Sequence, residues 1–108
     1  MVRVLLSKDA SSFARREASY LRRHSPKAAA RFTQRLIEAR RILASFPNIG
    51  PDQETPTYPG LRRLIVGDYI LDYLLGDPIR VVGLRHGRQQ PPDWEGSRSI
   101  SEDDSPIG

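Results

Sequence analysis

Four side chains able to hold or polarise a phosphate, Arg80, Arg85, His86 and Arg88, fall within nine residues at the end of the last apolar run of the chain, and Arg62 and Arg63 open an earlier run. A planar guanidinium grips phosphate or carboxylate through two parallel donors, and an imidazole can carry a proton near neutrality. The same residue types have a plainer use, because charges on edge strands and open sheet faces keep a small sheet soluble. For the arginines both readings stand open at this point. His86 alone reads first as a hydrogen-bonded structural residue. No Ser or Thr lies near a His together with an orienting carboxylate, so no nucleophile–base motif is visible. Gly50, Gly60, Gly67 and Gly76 are not spaced as a phosphate-binding loop or a dinucleotide fingerprint. The chain has no cysteine, and its two histidines, His24 and His86, are far apart. Neither a metal nor any other cofactor is expected from such a set.

The elements that must position these residues follow from periodicity. Val2 to Leu6 is a short apolar run ended by Ser7-Lys8-Asp9, a strand followed by a helix start. From Ala10 to Arg23, Phe13, Ala14, Ala18 and Leu21 recur every three or four residues, which predicts an amphipathic helix. His24-Ser25-Pro26 predicts a helix-to-helix turn: the residue before proline avoids the α region, Ser25 is a good N-cap and Pro26 suits the first helical position. A second helix then runs to Phe46, with Ala29, Phe32, Leu36, Ala39, Leu43 and Phe46 along one stripe. Residues 47–60 hold four prolines and two glycines and read as a loop. Leu61 to Val66, Tyr69 to Leu75 and Ile79 to Arg85 are three β-rich runs joined by Gly67-Asp68 and Gly76-Asp77-Pro78, hence consecutive antiparallel strands.

The order β-α-α-β-β-β predicts an α+β domain, a helical hairpin packed on one face of a small, mostly antiparallel sheet. Tyr69, Leu71, Tyr73 and Leu75 alternate with Ile70, Asp72 and Leu74, so both faces of the middle strand are largely apolar, and the face away from the helices is expected to want a partner. Trp94 follows the strands and either packs back on the sheet or anchors a partner. Residues 1–94 form the expected domain, and 95–108, with Glu95, Glu102, Asp103 and Asp104 against Arg98, read as an acidic, disordered tail.

At 108 residues the chain has room for one domain, and 38% apolar with 28% charged residues is a globular balance. Residues 1–94 carry 16 basic and 9 acidic residues, so the body should attract a polyanion or an acidic protein. A GC-rich genome would also enrich arginine, and Arg31, Arg35, Glu38 and Arg41 could be only a solvated helix face. The run Val4-Leu5-Leu6 is far shorter than the core of an export signal, and no run approaches a membrane span; a cytoplasmic location without membrane partners is expected.

Four stretches carry a family likeness: Ser25-Pro26-x-Ala28-Ala29-x-Arg31-Phe32, then Phe46-Pro47-x-x-Gly50, then Gly60-Leu61-Arg62-Arg63-Leu64-x-Val66-Gly67-Asp68-Tyr69-x-x-x-Tyr73, and finally Arg85-His86-Gly87-Arg88. In this order, over about residues 1–94, they resemble the RelE/ParE toxin superfamily, and most of all its ParE-like, plasmid-stabilisation branch. The resemblance implies the helical hairpin on a curved sheet already derived, and a toxin of a type II toxin–antitoxin system. It further implies a cognate antitoxin, encoded upstream, whose acidic C-terminal segment folds on binding.

RelE-like members cleave messenger RNA on the ribosome with basic and tyrosine side chains. Where that set has an arginine after the first strand tyrosine this chain has Ile70, where it has one two residues after the strand-ending glycine this chain has Gln89, and no tyrosine follows Tyr73. Losing those charges removes stabilisation of the phosphorane. ParE-like members instead poison DNA gyrase and need no catalytic residues of their own. The resemblance thus implies target contacts at Arg80, Arg85, His86, Arg88 and Trp94; antitoxin contacts are expected in the groove beside the hairpin and on the sheet's exposed face, at Arg31, Arg35, Leu71 and Tyr73. RNA cleavage using His86 and Arg88 is the alternative, and a non-toxic antitoxin-binding module a second one.

Overall fold

The structure, a computed structural model, describes residues 1–55 and 57–88. Trp94, Gln89 and the acidic segment 95–108, on which expectations were placed, lie outside the described residues. The elements run β1 (Val4–Leu6), α1 (Lys8–His24), α2 (Pro26–Ser45), β2 (Arg62–Val66), β3 (Tyr69–Leu74) and β4 (Ile79–His86), the expected order.

Two serines punctuate the helical hairpin. Ser7 follows β1 and caps α1, its Oγ accepting from the Ala10 amide at 3.1 Å. Ser25 ends α1 by donating its N–H to the Leu21 carbonyl, and it starts α2 by accepting from the Ala28 amide at 3.2 Å. Pro26 fills the first helical position, where a missing N–H is harmless. A one-residue connection leaves the second helix no choice but to fold back along the first. Helix α2 stops one residue earlier than expected, so the apolar stripe loses Phe46. Phe46 precedes Pro47, leaves the α region at φ −134° and ψ 74°, and exposes 64% of its surface.

The sheet has the order β1-β4-β3-β2, with β1 parallel to β4 and the other pairs antiparallel. Gly67 starts the two-residue turn between β2 and β3 at φ +61°, a conformation that favours glycine, and the Arg35 side chain lies over it. Phe32, Ala39 and Leu43 of α2 and Ala10 of α1 pack with Tyr69, Leu71, Tyr73, Ile79, Val81 and Leu84 to form the core.

Two expectations about β3 are corrected here. Leu71 and Tyr73 are 2% and 0% exposed, because they point at the helices and not at the open face, so neither forms part of the open sheet face on which they were expected. The Tyr73 hydroxyl is fully engaged: it donates to the Pro47 carbonyl at 2.7 Å and accepts from the Gly50 amide at 2.9 Å, pinning the loop after α2 to the sheet. The open face is also less apolar than expected. Ile65 and Ile70 lie on it, but its centre is the ion pair of Arg63 with buried Asp72.

Candidate functional site

Alternation along β4 would put Arg80 and Arg85, five residues apart, on opposite faces. They share one face because the β3–β4 register shifts: Asp72 opposes Gly83 while Tyr73 opposes Val81, which leaves Val82 as an extra residue. Arg80 faces beside Leu74, Arg85 beside Ile70, and Arg63 beside Asp72, all away from the helices. Arg63 clasps Asp72 by two bonds, Nε to Oδ1 at 2.7 Å and Nη2 to Oδ2 at 3.2 Å. Burial, with the nearby charge of Arg63, lowers the Arg85 guanidinium from its ordinary value, and Asp72 opposes that shift. The result is a sheet face on which the Asp72 carboxylate is clasped by Arg63 and the arginines predominate.

His86, one residue past Arg85, lies on the other face. Its register partner is Tyr69, and the two rings meet edge to face at 5.2 Å. Tyr69 is the hub of this corner, 4.8 Å from the Phe32 ring and 6.1 Å from that of Phe13, with its hydroxyl donating to the Glu17 carboxylate of α1. Burial, followed by that hydrogen bond, raises the phenol well above its ordinary pKa, so Tyr69 stays a protonated donor. Arg88 is exposed, and its amide donates to His86 Nδ1 at 3.3 Å. A shallow cavity of about 300 Å³ opens beside these groups, lined by Ile65, Asp68, Tyr69, His86 and Arg88 among others. The residues expected to meet a target are therefore divided: Arg80 and Arg85 on the open sheet face, His86 and Arg88 at the Tyr69 corner, with Trp94 outside the described residues.

A third feature lies across the molecule. Between α1 and α2 an apolar groove of about 290 Å³ reaches down to the buried side chains of Leu71, Val81 and Leu84, with Ala14, Ala18, Leu36 and Ile37 as walls and Arg15 and Arg40 at its rim. Arg40 also donates to the Val4 carbonyl at 3.0 Å and so blocks the free edge of β1. The two helices carry ten Lys or Arg against Asp9, Glu17 and Glu38, whereas the rest of residues 1–94 balances six against six. The whole basic excess of the body thus sits on the hairpin. Among the described residues none of these ten cations is in an ion pair; Arg15 and Arg23 bond instead to serines one turn back. Arg31 is exposed on the outer side of α2, and Arg35 reaches over the Gly67 turn, so neither lines the groove.

Sequence reasoning named neither Arg15 and Arg40 at the groove nor the Glu17–Tyr69 bond. The groove side of α2 could be read from its helical spacing. Nothing local ties Glu17 to a tyrosine 52 residues later.

Residues 4–91 match the model of the family described as the ParE toxin of type II toxin-antitoxin system, parDE. The chain belongs to the ParE toxin family. Among solved structures, a chain of the chromosomal ParDE toxin–antitoxin system from P. aeruginosa is similar to it, with a TM-score of 0.63 at 18% identity, over 80% of this chain and 96% of that one. At such identity the likeness shows a shared fold. No curated protein matches. The ParE fold seen in that neighbour is the arrangement described above, and membership of a toxin–antitoxin family implies an antitoxin partner. Among the described residues no helix is long and apolar enough to cross a membrane.

Proposed function

We propose that this ParE toxin acts in the cytoplasm on DNA gyrase, stabilises its cleaved-DNA state and so blocks replication, and that a cognate antitoxin neutralises it by laying an acidic amphipathic segment into the groove between α1 and α2. The observation that carries the antitoxin half is the groove itself: an apolar floor rimmed by Arg15 and Arg40, on a hairpin with an uncompensated excess of seven positive charges. Such a surface suits a helix with one apolar and one acidic side. The acidic partner would add long-range attraction that speeds encounter.

The gyrase half rests on family membership and on how the basic residues are distributed. Arg80 and Arg85 face away from His86, and positions 70 and 89 hold Ile and Gln, so the side chains do not converge on a single phosphate. A divided basic surface supports binding better than phosphoryl transfer. The test is brief induction without antitoxin, followed by inspection of plasmid DNA. Linear, protein-linked plasmid that disappears on antitoxin co-expression is expected. Growth arrest with intact DNA, and transcripts cut on ribosomes in a manner abolished by His86→Ala or Arg88→Ala, would replace gyrase by RNA as the target. Normal growth under confirmed soluble expression would leave an antitoxin-binding module.

A further inference from the structure

One face of α1 is used neither by the groove nor by the core. Arg16, Tyr20 and Arg23 follow one another at intervals of four and three, which stacks them along a single solvent face, and His24 lies one turn beyond Tyr20. Tyr20 is 49% exposed, and its ring stacks on that of His24 at 4.1 Å and 29°. His24 is itself held, with Nδ1 donating to the Tyr20 carbonyl at 2.8 Å, so the aromatic pair is ordered before any ligand arrives. The surroundings are strongly cationic. From Ala18 through Ile37 there is no carboxylate, while Arg22, Arg23, Lys27, Arg31 and Arg35 occur. The adjacent Glu17 carboxylate is turned to the Tyr69 hydroxyl.

We propose that this face of α1 binds single-stranded nucleic acid, with Arg16 and Arg23 on backbone phosphates and the Tyr20–His24 stack receiving the face of a base between them. Guanidinium groups without carboxylate partners are available to phosphate, and an exposed, ordered aromatic ring flanked by them is the combination that holds a single strand without regard to sequence. A duplex hides its base faces and would use the charges alone. A protein partner anchored by apolar contacts is better served by the groove, since Tyr20 is the only large hydrophobic of α1 that stands exposed. The strip also borders the Tyr69 corner, because Glu17, next to Arg16, is the residue that reaches the Tyr69 hydroxyl. Neither the gyrase target nor toxicity enters this inference.

The test is fluorescence anisotropy of the full chain with a labelled twelve-nucleotide single-stranded DNA and with the matching duplex, from 50 to 200 mM salt. The single strand is expected to bind more tightly. Arg16→Gln with Arg23→Gln should reduce the slope of log affinity against log salt by about 1.4, two contacts at about 0.7 each. Tyr20→Ala should weaken single-strand binding at least about tenfold, Tyr20→Phe should restore it, and Arg3→Gln should leave it unchanged. All these positions are exposed, so helical circular dichroism should be retained. An unchanged salt slope in the double variant, or Tyr20→Ala binding equal to that of the parent, overturns the proposal. Displacement of the oligonucleotide by polyglutamate at equal charge, with Tyr20→Ala neutral, would also overturn it and put an acidic protein on this face. No arm of the assay involves growth or gyrase, so its failure is separable from failure of the toxin reading.

Discussion

Replacing Tyr73 by Phe separates a buried pin from a partner contact. Tyr73 is 0% exposed, so the ring of Phe can fill the same space and the packing contribution is unchanged. What is lost is the hydroxyl, which accepts from the buried Gly50 amide at 2.9 Å and donates to the Pro47 carbonyl at 2.7 Å. A buried donor left without an acceptor costs about 1–3 kcal/mol, and loss of the second bond adds about 1 kcal/mol, for a total of about 2–4 kcal/mol. Gly50 is closely packed, since a Cβ built there would lie 2.5 Å from the Arg63 carbonyl oxygen. In a domain of this size each kcal/mol moves the midpoint by roughly 4–8 °C, so Tyr73→Phe should lower the thermal midpoint by about 8–32 °C. Circular dichroism melting gives that number, and hydrogen exchange should show the Gly50 amide losing its protection. A midpoint within about 2 °C of the parent, with Gly50 still protected, would refute the pin. A fall in antitoxin affinity without any loss of stability would restore Tyr73 as a contact residue.

Two further perturbations probe the corner and the groove. The folded state holds the Tyr69 proton that the unfolded chain releases above about pH 10, so native stability should decline as pH rises past that value, and Tyr69→Phe should flatten the decline; melting curves from pH 8 to 11 that run parallel in the two proteins would contradict this. Charge reversal at the groove rim, Arg15→Glu with Arg40→Glu, should weaken antitoxin binding by at least about tenfold in calorimetric titration, whereas Arg31→Glu with Arg35→Glu, off the groove, should cost less; equal losses would mean that general attraction to the hairpin, and not the groove, selects the partner.

Much of this architecture is local in origin and therefore readable from the chain. Ser25-Pro26 specifies a helix end and a helix start in two residues, the 3–4 spacing of Ala29, Phe32, Ala39 and Leu43 specifies a buried stripe, and Gly67-Asp68 specifies a hairpin because only glycine takes φ +61° without strain. The family likeness in residues 25–88 was legible for the same reason, since its motifs are mostly turns, caps and strand ends. The charge excess of the helical hairpin was countable, although the absence of ion pairs on it required distances.

Which face each strand residue occupies was a tertiary decision. One extra residue at Val82 turns Arg85 to the side of Arg80 and sends His86 to Tyr69, and no alternation rule applied to β4 alone could contain that shift, because a bulge exists only relative to its partner strand. Tyr73 likewise became a pin and not a surface residue once the loop after α2 folded over it, supplying a carbonyl and an amide from 26 and 23 residues away. The chain by itself determined the elements, their order and the sign of their charge; the packing of helices on the sheet determined which basic groups share a surface, since side chains distant in sequence acquire a common face only when the backbone register between strands is set.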